Sequence, residues 1–434
     1  MTDIDLTNLT TKQREAFYYM KSGKNVFLTG PAGTGKSFLL NYFIYWYNIY
    51  EEDSKSKQSL YITSTTGLSS LLINGMTIHR YAGIGIGDKD IEVYYKKIIK
   101  LKHLKNRWLY TKVLIIDEIS MMNPELFDKL EILARKVRKS TKPFGGIQII
   151  LSGDFLQLPP INSESFCFEA FSWNIIDKTY YFDEIVRQNN VTFQSVLNKI
   201  RLGIIDNDVK RILDERLNKE LIIDDGIIPT LLFSRKNMVT SYNQTEIDRL
   251  INDGKINYIY DAIYEIKKRK DDIVPEQNYR DLINSQYQVE DKVLLSLHSQ
   301  VMLTINLPEY KLANGSKGII IDFTNDELHL PIVLFTNKVT LIIKYHNYTI
   351  DEDGTSIIKS QIPLILSWAI TIHKAQGMTL DYIKTDIGNS IFEYGQVYVV
   401  LSRIKSLEGL TLMNINYSTI KAHPKIVDYY NKLK

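Results

Sequence analysis

Residues 30–37 read Gly-Pro-Ala-Gly-Thr-Gly-Lys-Ser and match G-x-x-x-x-G-K-[ST]. Glycine-rich backbone lets successive N–H groups point at phosphate oxygens, and a helix beginning at the end of the run adds its positive pole. Lys36 is placed to reach the β- and γ-phosphates of ATP, and Ser37 to ligate Mg²⁺. Gly30, Pro31, Ala32, Gly33, Thr34 and Gly35 form the rest of the cradle. A second stretch, Val113-Leu-Ile-Ile-Asp-Glu118, is an apolar run that stops on two acids. A buried strand gains no stability by ending on paired carboxylates, because a buried charge needs a partner. Asp117 therefore reads as a holder of Mg²⁺ through water. Glu118 reads as the group that orients or deprotonates the attacking water. In Ile149-Ile-Leu-Ser-Gly-Asp-Phe-Leu-Gln-Leu-Pro-Pro160, the neutral donor and acceptor Gln157 suits a γ-phosphate sensor. Gln13, upstream of the glycine-rich run, can offer its amide to an adenine edge.

These residues describe a Mg²⁺-ATPase, and such sites serve many functions. Hydrolysis also needs cations that stabilise the transition state; an arginine finger contributes about 10³–10⁵ in rate. Two candidates are Arg187, in Glu184-Ile-Val-Arg-Gln188, and Arg403, which ends Gln396-Val-Tyr-Val-Val-Leu-Ser-Arg403.

The elements that must position these groups follow from hydrophobic patterning. Residues 25–29, 60–63, 113–116 and 147–151 are short β-branched runs bounded by Gly, Ser or Asp and separated by helical stretches. That alternation predicts a parallel sheet with functional loops at the C-terminal strand ends. A second α/β set begins near 229–233 and resumes at 365–368, 383–387 and 410–415. Between them, short strands and turn signals over 290–358 predict a small β-barrel inserted into that second domain. Residues 250–288, rich in charge and tyrosine, receive no assignment. Residues 95–108 form a local basic run whose apolar positions 98, 101, 104 and 108 share one helical face.

Composition sets outer limits. A chain of 434 residues is long enough for two or more domains. Its 53 basic and 50 acidic residues leave +3, so any basic surface must be local. The single cysteine, Cys167, excludes an intramolecular disulfide and fits a reducing compartment. Seven scattered histidines show no zinc-ligand spacing. No signal, transit or membrane-spanning pattern is present. The expected setting is soluble and intracellular, with a nucleus and a viral replication site in the cytoplasm equally open. The abundance of Ile, Lys, Asn and Tyr points to an AT-rich genome.

The motifs taken together resemble the petite-integration-frequency (PIF) family of superfamily 1 DNA helicases. The residues carrying the resemblance are 30–37, Ile62-Thr-Ser-Thr-Thr-Gly67, Gly75-Met-Thr-Ile-His79, Asp117-Glu-Ile-Ser-Met121 and Pro143-Phe-Gly-Gly-Ile-Gln148. They continue in Gly153–Pro160, Val186-Arg-Gln188, Val301-Met-Leu303, Ala313-Asn-Gly-Ser-Lys-Gly318, Ala369–Leu380 and Phe392–Arg403. The resemblance implies an α/β fold of two RecA-like P-loop lobes. Residues 1–185 would form the first, with a small wedge subdomain at about 83–108. Residues 186–289 and 359–434 would form the second, with the 290–358 barrel clamping the strand. The activity implied is ATP-dependent 5′→3′ DNA unwinding with ATP and Mg²⁺ as cofactors. Single-stranded and forked DNA are the expected partners, with single-strand-binding or replication proteins as candidates and a monomer sufficient.

The loop Ala369-Ile-Thr-Ile-His-Lys-Ala-Gln-Gly-Met-Thr-Leu380 resembles the element that touches both DNA and nucleotide. By that resemblance Thr371, His373 and Lys374 face the strand, while Gln376 and Gly377 lie toward the nucleotide. In the first lobe, Ser64, Thr65, Thr66 and Gly67 could bond phosphates, which position a strand without reading it. His79 and Tyr81 could stack on bases. Three rivals remain: a RecD- or phage-type 5′→3′ helicase, a DNA-stimulated ATPase that remodels nucleoprotein without separating strands, and an RNA-directed motor.

Overall fold

Four short runs in the first 153 residues are too apolar to face water on either side, and the chain buries them side by side. In the computed structural model, Val26–Thr29, Leu60–Ser64, Val113–Asp117 and Gln148–Gly153 are strands of one sheet, with Met76–Thr77 and Lys178–Tyr181 at its edges. The spatial order is 76–77, 60–64, 113–117, 148–153, 26–29, 178–181, and every neighbouring pair is parallel. Side chains alternate across the sheet. Val26, Leu28, Ile115 and Ile150 pack under helices Thr11–Lys21 and Lys36–Tyr50. Phe27, Leu114, Ile116 and Leu151 join the core that includes Pro124–Arg138. The structure describes residues 6–50, 59–65, 69–70, 73, 75–85, 87–160, 163–184, 190–221, 228–268, 274–287, 289–312, 314–352 and 355–433.

The Phe-Gly-Gly-Ile-Gln run has a packing reason. Gly145 adopts φ +61°, and a side-chain carbon there would lie 2.7 Å from Ala134 O of the neighbouring helix. Only glycine accepts both constraints. Phe144 lies buried against Phe127, ring centroids 5.3 Å apart. Arg138 Nε then donates to Gly145 O at 2.8 Å, and its Nη1 donates to Trp108 O, Leu109 O and Thr111 O. One guanidinium thus ties this turn to the end of helix Lys102–Tyr110.

The basic run is two helices, Ile91–Lys100 and Lys102–Tyr110, not one. Leu101 is extended (φ −94°, ψ 104°) and breaks the chain between them. The expected apolar positions are all buried: Ile98, Leu101, Leu104 and Trp108. The break lets Trp108 reach Tyr81, at 5.1 Å between centroids, and donate from Nε1 to Ala82 O.

Packing divides the chain into two units. The first is Met1–Ile212 with Ile391–Ser406 and Asn416–Lys434; the second is Leu213–Ser390 with Leu407–Ile415. This differs from the expected break at 185/186 and from a second lobe running to 434. Helix Val191–Arg201 and two C-terminal pieces belong to the first unit, where Arg201 and Tyr430 bond at its strand ends and Tyr398 at its glycine-rich turn.

The second unit has its own parallel sheet, in the order Ala369–Thr371, Thr230–Phe233, Ile383–Ile387, Leu410–Ile415. Its inserted portion is antiparallel. Thr340–Ile342, Pro331–Phe335, Lys317–Phe323, Gln300–Leu303 and Leu364–Leu366 pair in that order. Among the described residues no pairing joins the two end strands, so the expected barrel closure is not seen. The insertion also starts earlier than 290. Asn257–Asp261 pairs with Lys292–Ser296, and Ile263–Lys267 pairs with Thr355–Gln361, which pairs with His346–Glu352. Lys359 fixes helix Glu276–Tyr287 to this sheet by donating to Asn284 Oδ1, Val289 O and Asp291 Oδ1, each at 2.7 Å. Within the unassigned stretch, residues 257–267 and 276–287 are therefore part of the insertion, whereas 250–252 end helix Lys236–Asn252. No described helix is long and apolar enough to cross a membrane.

Cys167 is fully buried in the first unit, and burial, then the charge of Asp128, pushes its thiol well above the ordinary range. A thiol held protonated and enclosed is inert. Native protein is expected to resist a thiol reagent for hours and to react stoichiometrically in denaturant; rapid native labelling would contradict this packing.

Candidate functional site

The parallel register sets the chemistry. Thr29 lies opposite Gly153, and Ser64 opposite Asp117. The glycine-rich turn, the acid pair and the Gln157 loop therefore leave the same sheet edge, where ligands of such sheets bind. Gly30 has φ +143°, and a side-chain carbon there would sit 2.1 Å from Phe182 O, so the turn requires glycine. Gly33 and Gly35 also take positive φ, and the turn leads directly into helix Lys36–Tyr50.

Lys36 Nζ donates to Gly30 O at 2.7 Å and Pro31 O at 2.9 Å, which holds the ammonium over the turn. Burial pushes its pKa down to about 8, opposed by the charges of Asp154 and Glu118. Ser37 is exposed at the start of the helix. Asp117 is buried, and burial raises its pKa despite the Ser152 hydroxyl, the Glu118 N–H and the Lys36 charge. A buried carboxyl short of positive charge, beside a phosphate cradle, fits a divalent cation. Ser37 and Asp117 are the residues that would hold Mg²⁺. Glu118 sits at φ +53°, a sparsely populated conformation for a non-glycine residue and a form of strain found at functional sites.

Gln157 is 5% exposed, and its Oε1 has no hydrogen-bond partner among the described residues. A buried acceptor left unpaired is costly, and a water bound there would satisfy it. Gln13 is also buried but engaged. Its Oε1 accepts from Thr10 N at 3.0 Å, and its Nε2 donates to Thr34 O at 3.1 Å. It caps its own helix and braces the glycine-rich turn, leaving one N–H and one lone pair for an adenine edge.

Other expected residues fall differently. Tyr81, expected to stack on bases, is a correction. It is 0% exposed, packed between Tyr61 and Trp108, and donates to Thr111 Oγ1. It serves the core, because the broken helix pair closes over it. His79 is half-buried, and burial lowers its pKa. Ser64 Oγ donates to Asp117 O at 3.3 Å, and Thr65 Oγ1 to Glu118 O at 3.0 Å. Their hydroxyl protons thus hold the acid pair and are not offered to a phosphate. Thr66, Gly67 and Arg187 lie outside the described residues.

Arg403, expected in the second lobe, belongs to the first unit. It is buried and bonds back to its own turn, with Nε to Val399 O at 3.0 Å and Nη2 to Ser402 Oγ at 2.8 Å. In the second unit, Thr371 caps the short helix Ile372–Ala375 by accepting from Lys374 N at 3.1 Å. Lys374 is half-buried, and its pKa is lowered by burial. Gln376 is buried and Gly377 exposed, with φ +81°.

Four residues that sequence reasoning passed over complete the first unit's site. Asp154 and Arg201 form a buried two-bond ion pair, Nε–Oδ2 2.9 Å and Nη2–Oδ1 2.7 Å. Burial opposes both charges, yet Arg201, Lys36 and the Leu156 N–H hold the Asp154 carboxyl below its ordinary range. Tyr430 Oη lies 2.6 Å from Thr29 Oγ1, accepts from Phe155 N at 3.0 Å and donates to Asp154 Oδ1 at 3.2 Å. Tyr398 Oη accepts from Ala32 N at 2.8 Å. Asp154 was legible as part of the Gly-Asp-Phe-Leu-Gln loop, and Tyr398 as part of the run ending at Arg403. Arg201 and Tyr430 carry no local signal.

A profile of the PIF1-like helicase family matches residues 8–211. The chain is 37% identical over 433 residues to the ATP-dependent DNA helicase PIF1 of Xenopus laevis, covering 98% of this chain and 64% of that one. It thus spans somewhat less than two thirds of that relative's length. A crystal structure of Pif1 helicase from Candida albicans superposes with a TM-score of 0.79 at 32% identity, covering 98% of each chain. The Pif1 helicase from Bacteroides in complex with ADP-AlF3 and ssDNA superposes with a TM-score of 0.70 at 25% identity, covering 99% of this chain and 97% of that one.

Proposed function

The chain belongs to the PIF1-like helicase family, and from that membership and the site geometry we propose that it is an ATP-dependent motor on single-stranded DNA. It moves 5′→3′ and separates duplex or G-quadruplex strands in replication, recombination, repair or telomere maintenance. The observation that carries the reading is the convergence on one sheet edge of Lys36, the acid pair and a buried Gln157 with an unpaired side-chain oxygen. The P-loop N–H groups and Lys36 hold the ATP phosphates, and Ser37 and Asp117 hold Mg²⁺. When bound, Mg²⁺ neutralises charge on the transferring phosphoryl group. Glu118 takes the proton of the attacking water, and Gln157 senses the γ-phosphate, its unpaired Oε1 accepting from that water. Arg187 and Arg403 stabilise the departing charge, Arg403 after release from its own turn. Thr371, His373 and Lys374 grip the DNA backbone, and Gln376 and Gly377 report the nucleotide state. The helix pair 91–110 is the proposed wedge, with Lys96, Lys100 and Lys102 exposed on it.

The test uses two forked duplexes, one with a single 5′ tail and one with a single 3′ tail, incubated with Mg-ATP. Separation confined to the 5′-tailed substrate is expected, with binding that weakens steeply as salt rises. Separation from the 3′ tail overturns the polarity. DNA-stimulated hydrolysis without separation of either favours the nucleoprotein-remodelling ATPase.

Glu118→Gln removes the base but keeps the shape. Turnover is expected to fall by about 10²–10⁴, the usual contribution of a positioned general base, with nucleotide affinity within about threefold of wild type. A comparable loss of affinity would reassign Glu118 to binding.

A further inference from the structure

Two phenol hydroxyls from the C-terminal part of the chain reach the two loops of the nucleotide site, one each. Tyr398, on helix Gln396–Leu401, accepts from Ala32 N inside the phosphate cradle. Tyr430, on helix Pro424–Leu433, accepts from Phe155 N at the root of the Gln157 loop. Both rings are about 2% exposed, so neither oxygen faces bulk water.

The Tyr430 oxygen uses its full capacity. It accepts the Phe155 N–H and the Thr29 hydroxyl and donates to Asp154, and a phenol offers one donor and two acceptor sites. Thr29 ends the strand that enters the cradle, and Asp154 is locked by Arg201. This hydroxyl therefore fixes where the Gln157 loop departs relative to the cradle. Removing it strands a buried N–H two residues before Gln157. The cheapest relief is a shift of that loop toward water, which carries Gln157 away from the attacking water. Removing the Tyr398 hydroxyl instead takes the side-chain partner from Ala32 N–H, on a half-buried residue, and the shift falls on the cradle.

We propose that Tyr398 and Tyr430 are positioning residues with divided roles, Tyr398 setting the phosphate cradle and hence nucleotide affinity, Tyr430 setting the Gln157 loop and hence the hydrolytic step. The inference rests on the ATPase reading above.

The experiment compares Tyr398→Phe and Tyr430→Phe in the full chain. Each change deletes one oxygen and keeps the ring in its packing. Three quantities are measured: affinity for a fluorescent ADP analogue, kcat for ATP with saturating single-stranded DNA, and thermal midpoint. Tyr181→Phe is the control; its hydroxyl bonds Arg201 at 3.2 Å in the same cluster but touches neither loop. Tyr430→Phe is expected to lower kcat by about fivefold to a hundredfold, as for an orphaned buried donor, with ADP affinity within twofold. Tyr398→Phe is expected to weaken ADP by about threefold to tenfold, the value of one hydrogen bond, with kcat at saturation within twofold. The control should change only the thermal midpoint. If all three variants merely lower the midpoint, or if both site variants shift the same parameter, the divided role is wrong. A wild-type chain that hydrolyses no ATP overturns the ATPase reading and this inference with it. A hydrolysing wild type with unsplit variants overturns the inference alone.

Discussion

Lys36→Ala is expected to lower ATP turnover by about 10²–10³ and to remove strand separation altogether, while DNA binding without nucleotide stays within twofold. The ammonium is the cationic side chain in the glycine-rich run, held over it by Gly30 O and Pro31 O. Its removal leaves phosphate charge to backbone N–H groups, the helix pole and Mg²⁺. Its side-chain bonds go to two carbonyls of its own turn, so no other element loses a hydrogen-bond partner. The thermal midpoint should therefore match wild type. Turnover retained above a tenth would mean that hydrolysis occurs elsewhere, and the assignment of this site would fail.

Arg201→Met is expected to destabilise the first unit by about 3–5 kcal/mol, because it leaves the Asp154 carboxylate buried and unpaired. The side chains of the pair are 3% and 0% exposed, so solvent does not screen the loss. With two packing units, a single unfolding curve would mix two events. Cys167 resolves them, since its labelling rate in urea reports the first unit. The double variant Arg201→Met, Asp154→Asn should recover part of the loss, because the stranded charge is gone. Equal destabilisation of single and double variants would show that packing, not charge, sets the cost. The sign of the acid response follows from the same pair. The Asp154 carboxyl titrates below its ordinary value of 3.8 when folded. Its stabilisation is present above that value and is lost as pH falls through the lower folded pKa. The double variant should lose that part of the acid sensitivity.

Much of the proposed nucleotide site was legible because its chemistry is local in sequence. A glycine-rich run between a strand and a helix dictates its own backbone, and Gly30 and Lys36 lie where that geometry requires. The acid pair was legible because carboxylates are anomalous at the end of a buried strand. The Phe-Gly-Gly-Ile-Gln run was recognisable, but its reason, Gly145 pressed on Ala134 O and Arg138 bridging to Trp108, is a contact between helices. Tyr81 failed for a related cause. An aromatic two positions after a histidine reads the same whether it meets a base or a core, and the broken helix pair at Leu101 put it in the core.

By itself, then, the sequence determined the four central strands of the first sheet, the glycine-rich turn, the acid pair and the family pattern, since each depends on residues within a few positions of one another. The tertiary structure alone decided that Tyr430 answers Thr29 across 401 positions, that Asp154 finds Arg201, and that Arg403 packs with the cradle's own unit. It also decided that 257–267 completes sheets begun by 292–296 and 355–361. The reason is physical: a buried donor or charge must find a partner wherever the fold brings one near, and nothing in its neighbouring residues records which partner that is.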